Sequence, residues 1–325
     1  MLEPEKRSVM RLTELRGCGT ALVTPFQQDG SLDEATFRRL VRRQLEGGID
    51  FLVPCGTTGE SPVLTAEEHL RLVEITSEEA RDKVPVLAGA GGNNTRRVLE
   101  QVRQIERLGV DGILSVSPYY NKPSQEGIYQ HYRAIAEATS LPVVVYNVPG
   151  RTGSNIEPAT LVRLAAIPNI IGVKEASGNV VQIAEILRRV PGRFKVISGD
   201  DSITLPVMAM GACGVISVVS NVLPREMTEM VALSNRGDFE AARRIHLRLL
   251  PLMQVLFIEG SPVPVKEALA TMDLIERVYR LPLAPMQPEN RTKLLRVLED
   301  LELLATPSTP LGAGREKQYA AGRAD

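Results

Sequence analysis

Lys174 ends an apolar, β-type run within Asn169 to Gly178 (NIIGVKEASG), in a chain with eight lysines and thirty arginines. A chain that uses arginine wherever a positive charge will serve has a reason to place lysine here. An ammonium can be desolvated, lose its proton and act as a nucleophilic amine, whereas a guanidinium stays charged. That is the chemistry of an imine-forming lysine. The same residue also reads as a snorkelling or ion-paired lysine, with Glu175 as its partner. Upstream, Gly56-Thr57-Thr58-Gly59-Glu60 follows another apolar run. Its glycines permit a tight turn with backbone N–H groups beside two hydroxyls, which suits a carboxylate and would equally serve as an ordinary turn. Tyr119 and Tyr120 follow a third run, and Tyr146 ends a fourth. Two tyrosines and a threonine could relay protons near Lys174, or the tyrosines could simply pack. Arg151, in the loop behind Tyr146, is either a clamp for a carboxylate or a surface charge.

The elements that must position these residues repeat one pattern. A strand over Cys18 to Val23 leads to a helix capped by Asp33, with Phe37, Leu40, Val41 and Leu45 at helical spacing and Gly47-Gly48 as its stop. Further strands are expected at Phe51 to Val53, Pro85 to Ala88, Gly112 to Val116 and Pro142 to Tyr146. The lysine run, Phe194 to Ser198 and Gly214 to Val219 supply the rest, each followed by a helical segment. Eight such units, with strands too apolar for one solvated face, predict a closed (β/α)8 TIM barrel with its chemistry at the C-terminal strand ends. An open doubly wound sheet is the competing architecture, and no GxGxxG after the first strand favours it. The expected organisation is a polar leader (1–15), the barrel (16–236), a C-terminal helical region packed on it (237–305) and a disordered tail (306–325) rich in Pro, Gly and charge.

Composition narrows the function. The net charge is −1, with no basic aromatic run to suggest nucleic acid or an anionic membrane, so small molecules are the expected partners. Cys18, Cys55 and Cys213 sit apart in apolar segments, as reduced thiols of a cytoplasmic protein would. The three histidines, His69, His131 and His246, have no ligand spacing, which argues against a His-based metal site or triad. No apolar run is long enough to span a membrane.

Six segments, taken together, carry a resemblance: GTTGE (56–60), SPYYNKPSQEGIYQHY (117–132), YNVPGRTG (146–153), GVKEASG (172–178), SGDD (198–201) and GVISV (214–218). In this order, over residues 16 to 304, the chain resembles the dihydrodipicolinate synthase and N-acetylneuraminate lyase family of class I, pyruvate-handling aldolases. The Thr57-Thr58 pair and Arg151 look like the synthase branch. The resemblance implies that Lys174 forms the imine, that Tyr146 shuttles protons, and that Thr57 links Tyr146 to a Tyr120 supplied by a neighbouring subunit. It further implies that Thr58 holds the pyruvate carboxylate, that Ile216 offers a backbone carbonyl near the imine, and that Arg151 binds the carboxylate of the incoming aldehyde. The implied reaction joins pyruvate to L-aspartate-4-semialdehyde in diaminopimelate and lysine biosynthesis, in a homodimer or homotetramer, without metal or organic cofactor. A sister aldolase acting on 2-keto-3-deoxy sugar acids, 4-hydroxy-2-oxo acids or N-acetylneuraminate would share Lys174 and Tyr146 and differ around Arg151. A barrel that binds a metabolite without turnover is a further reading. Feedback-sensitive members bind L-lysine through a histidine and a glutamate whose places are taken here by Ala66 and Arg97, while Asn93, His69 and Tyr119 remain. Weak or absent inhibition by lysine is the expectation.

Overall fold

The computed structural model describes residues 15–304. The expected leader, apart from Leu15, and the expected tail from 306 onward lie outside the described residues. Eight strands form one sheet: β1 (Gly17–Ala21), β2 (Phe51–Val53), β3 (Leu87–Gly89), β4 (Gly112–Val116), β5 (Val143–Asn147), β6 (Ile170–Glu175), β7 (Lys195–Ser198) and β8 (Gly214–Ser217). The paired strands are parallel and run β2-β1-β8-β7-β6-β5-β4-β3. The circuit closes where Leu52 bridges Val86, with the Leu52 N–H donating to the Pro85 carbonyl at 3.0 Å and the Gly89 N–H to that of Pro54 at 2.9 Å. The architecture is therefore the barrel that the eight apolar runs predicted and not the open sheet.

Helices alternate with the strands: α1 (Glu34–Glu46), α2 (Ala66–Ala80), α3 (Thr95–Glu106), α4 (Gln125–Glu137), the single turn α5 (Pro149–Thr152), α6 (Pro158–Leu164), α7 (Val180–Arg189), α8 (Thr204–Ala209) and α9 (Pro224–Asn235). Their starts are written in side chains. The Asp33 carboxylate accepts from the Thr36 N–H at 2.9 Å, and Thr65 and Glu68 form a reciprocal capping box at the start of α2. Beyond the eighth unit come α10 (Phe239–Val255), α11 (Val263–Thr271) and α12 (Pro288–Asp300). Helix α10 packs on α9 and on α12.

Two apolar layers hold the fold. The larger lies between barrel and helices; the smaller fills the barrel with Ala21, Phe51, Val53, Leu87, Leu114, Val144, Ile171, Ile197 and Ile216. Leu15, buried among these inward-facing residues just before β1, closes the end of the barrel where the strands begin. Along a regular strand, side chains alternate between the two layers. Strand β6 breaks that rule: Val143 pairs with Ile170 but Val144 with Gly172, so Ile171 is an extra residue in the ladder. Ile171 faces the barrel interior and Val173 faces the helices, a switch of phase across the irregularity.

Candidate active site

The phase switch in β6 decides where Lys174 points. Strict alternation from the inward-facing Ile171 would send Lys174 outward to the helices. With the extra residue, Lys174 comes into register with Tyr146 of β5, which belongs to the interior layer. The Lys174 Nζ lies 4.3 Å from the centroid of the Tyr146 ring, and the side chain is 5 % exposed. Among the described residues no carboxylate lies within ion-pair distance of it, so the reading of Lys174 as the partner of Glu175 is not what the fold gives. Glu175 takes the opposite face, where it accepts from Asn147 Nδ2 at 2.9 Å and from the Ser177 N–H at 2.7 Å. Burial still pushes its carboxyl pKa upward.

One glycine makes room for the amine. A Cβ built on Gly199, which follows β7, would sit 2.7 Å from the Ala176 Cβ and 3.0 Å from the Lys174 Cε. Gly199 belongs to the SGDD segment, yet its role is invisible there, because its contact with Lys174 exists only once β6 and β7 are in register.

A cavity of about 270 Å³ opens at the C-terminal ends of β2 to β5. Its lining includes Thr57, Tyr119, Tyr146, Val148 and Arg151 together with Cys55, Ser61, His69 and Gln101. Of the residues singled out in the sequence, Thr57, Tyr146 and Arg151 thus face one space. Thr58, Lys174 and Ile216 are buried beside it, with the Lys174 amine over the face of the Tyr146 ring. Tyr120 is brought to neither place. It is 88 % exposed, and its backbone sits at φ +72°, a left-handed conformation that strains a bulky residue.

The turn after β2 is a tight one. The Gly59 N–H donates to the Gly56 carbonyl and the Glu60 N–H to that of Thr57, both at 3.1 Å, and Thr24 Oγ1 donates to the Gly59 carbonyl at 2.7 Å. Glu60 ends it in a left-handed conformation (φ +57°), with its side chain turned to Lys266 of α11, Nζ to Oε1 2.5 Å. Arg151, also in the cavity lining, is carried by the single turn α5 where a loop is expected from the sequence, and donates through an NH2 group to the Ser261 carbonyl at 2.9 Å. A backbone acceptor of that kind has no signature in sequence. His69 is also buried in the wall; desolvation lowers its pKa although its Nε2 lies 2.9 Å from the Gly89 carbonyl. Burial pushes the Cys55 thiol well up, so it is no ready thiolate.

A buried lysine against a phenol ring, at the mouth of a barrel that also presents a hydroxyl-bearing turn and an arginine, is equipped for covalent chemistry on a carbonyl compound that carries an acidic group. Among the described residues no cluster of three or more His, Cys, Asp or Glu could hold a metal ion, and no helix is long and apolar enough to cross a membrane. The model of the dihydrodipicolinate synthetase family matches residues 14–301. The chain belongs to that family. Among its relatives, the 4-hydroxy-tetrahydrodipicolinate synthase of Koribacter versatilis is 54 % identical over 292 residues, covering 90 % of this chain and 97 % of that protein. The solved dihydrodipicolinate synthase of Thermotoga maritima superposes with a TM-score of 0.88 at 47 % identity, over 90 % of this chain and 100 % of that one. A lysine-bound DHDPS from Cyanidioschyzon merolae gives a TM-score of 0.87 at 40 % identity, over 90 % and 99 % of the two chains.

Proposed function

We propose that the chain condenses pyruvate with L-aspartate-4-semialdehyde, the reaction of a 4-hydroxy-tetrahydrodipicolinate synthase, as a class I aldolase-type enzyme of the cytoplasm. The observation that carries this reading is the buried, unpaired amine of Lys174 against the ring of Tyr146. The amine adds to the keto carbon of pyruvate and water leaves, with Tyr146 moving the protons; the protonated imine is then an electron sink. Loss of a methyl proton gives an enamine, which attacks the aldehyde carbon of the second substrate. Attack by that substrate's own amino group closes the ring and releases Lys174. Thr58 holds the pyruvate carboxylate, Ile216 offers its carbonyl near the imine, and Arg151 takes the carboxylate of the semialdehyde. Thr57 continues the proton path from Tyr146 to Tyr120 of a neighbouring copy, which makes a dimer, alone or paired into a tetramer, the active unit. The exposure of Tyr120 in the single chain supports that assignment.

Borohydride added with pyruvate tests the reading: the chain should gain the mass of one reduced pyruvate adduct, and pyruvate plus semialdehyde should give product. Cleavage of 2-keto-3-deoxy sugar acids without semialdehyde turnover would move it to the sister aldolases, and no adduct at all would make it a binding barrel. The same reading makes L-lysine a weak inhibitor at most. His69 and Tyr119 line the cavity wall, but Ala66 begins α2 and Arg97 lies in the first turn of α3, where feedback-sensitive relatives use a histidine and a glutamate. A unit-charge pair at 4 Å and an effective dielectric near 20 is about 4 kcal/mol, so even after solvent screening a cation in place of a carboxylate weakens an ammonium ligand. Initial rates titrated with lysine should show no submillimolar half-inhibition, and Arg97→Glu should raise sensitivity.

A further inference from the structure

Helix α11 belongs to the C-terminal helical region, yet it is buried over seven consecutive residues, Val263 to Leu269. A helix covered on all faces is part of a core and not an ornament on it. Two successive charged residues point to different neighbours. Lys266 meets Glu60 at the end of the Thr57-Thr58 turn, each side chain 1 % exposed. Glu267 accepts from Arg291 at 2.7 Å, from the Tyr279 hydroxyl at 2.9 Å and from Arg277 at 3.0 Å. The helix is thus fixed to its own region by Glu267 and reaches the site through Lys266.

The Lys266–Glu60 pair is a costly way to gain stability. Desolvation of two charges offsets most of their attraction, and apolar replacements of such pairs are often neutral or stabilising. What the pair supplies is direction. The Lys266 Nζ sits 4.4 Å from the centroid of the Phe26 ring, so it approaches Glu60 along one path. Glu60 meanwhile occupies a left-handed backbone conformation that a non-glycine residue adopts at a cost, and its N–H is the one that closes the turn on the Thr57 carbonyl. Removing the ammonium frees the residue that terminates the turn.

We propose that Lys266 is a positioning residue that acts through Glu60 to fix the Thr57-Thr58 turn for the keto-acid carboxylate. This rests on the pyruvate reading given above. The pair is buried and lies outside the cavity lining, so its effect on the reaction runs through the turn it holds, and a turn that seats one substrate's carboxylate should alter the KM of that substrate.

The test compares wild type, Glu60→Gln, and the double variant Lys266→Met/Glu60→Gln, which leaves no uncompensated buried charge. Three quantities are measured: thermal stability, the KM of each substrate, and the rate of borohydride-trapped adduct against pyruvate concentration. In the double variant the pyruvate KM should rise by about fivefold or more while the semialdehyde KM stays within about twofold, the pattern of a lost contact to one substrate. Trapping should slow at low pyruvate and recover at saturation. Glu60→Gln, which keeps an acceptor for Lys266, should shift the pyruvate KM in the same direction by less, and it decides the matter alone if the double variant does not fold. A folded variant with both KM values unchanged, or with both raised equally, overturns the proposal whatever its melting temperature. A wild type that takes no adduct overturns the pyruvate reading, and this inference with it; a reactive wild type beside an unaffected variant overturns this inference alone.

Discussion

Thr57 and Arg151 face the same cavity, but the turn that carries Thr57 ends in a fully buried ion pair, whereas Arg151, itself exposed, is steadied by one bond to the Ser261 carbonyl. The first side is anchored by groups that no solvent reaches. On the second, an exposed guanidinium on a single helical turn can shift its remaining N–H donors without disturbing the core. In the reaction proposed above, that contrast would match the demands of two substrates: a covalent step needs fixed atoms at the β2 and β6 ends, while choice of the second substrate could be tuned on the β5 loop. On the proposed reading, sister chemistries would share the barrel interior and differ near Arg151.

The contrast can be broken at its rigid side first. Lys174→Ala should abolish the pyruvate adduct, and Lys174→Arg should be equally inactive because a guanidinium cannot supply a free amine. A loss in kcat/KM of more than about a thousandfold is expected for removal of a covalent nucleophile, read by mass spectrometry and initial rates. An adduct forming at the wild-type rate in Lys174→Ala would move the chemistry to another residue. Gly199→Ala sharpens the same side. Its methyl group would press on the Lys174 Cε, and misplacement near an ångström can cost about a hundredfold in rate. The trapping rate should fall while the fold survives.

Arg151→Ala probes the adjustable side. Loss of a charge-assisted contact of about 1.5–3 kcal/mol should lower kcat/KM for the semialdehyde roughly ten- to a hundredfold. Pyruvate trapping should be unchanged, which separates the two sides in one protein. The smallest effect on activity belongs to a group remote from both. Burial in α4 holds the His131 pKa at about 4, and its Nδ1 lies 2.9 Å from Thr95 Oγ1. Since this folded value lies below the unfolded one of about 6.5, the unfolded chain binds a proton that the native chain does not between those pH values. The His131 contribution is complete above about pH 6.5 and is lost as pH falls through about 4, by up to about 3 kcal/mol. Denaturant titrations at pH 7 and pH 5 should show part of that loss, about 2 kcal/mol, and His131→Gln should reduce it while leaving neutral-pH kinetics in place.

The sequence revealed the barrel because its strands are apolar runs separated by capped helices, and Phe51–Val53 and Gly112–Val116 have the boundaries that pattern implied. It did not reveal how Lys174 turns inward. Period-two reasoning from Ile171 points the lysine the wrong way, and only the extra residue in the β5–β6 ladder corrects it. Gly199, Ser261 and Lys266 escaped for a related reason: their contacts join segments far apart in the chain, and one of them is made by a backbone oxygen. Tyr120 was legible as a residue but not as a position, since the single chain leaves it in solvent.

Leu15 has a consequence for traffic. With that side chain packed onto interior residues that already fill the barrel, the end where the strands begin offers no way in, and the cavity lies at the other end. For the proposed reaction, both substrates and the water released by imine formation therefore share the cavity side of the barrel. The bulkier product then departs through the opening by which both reactants arrived.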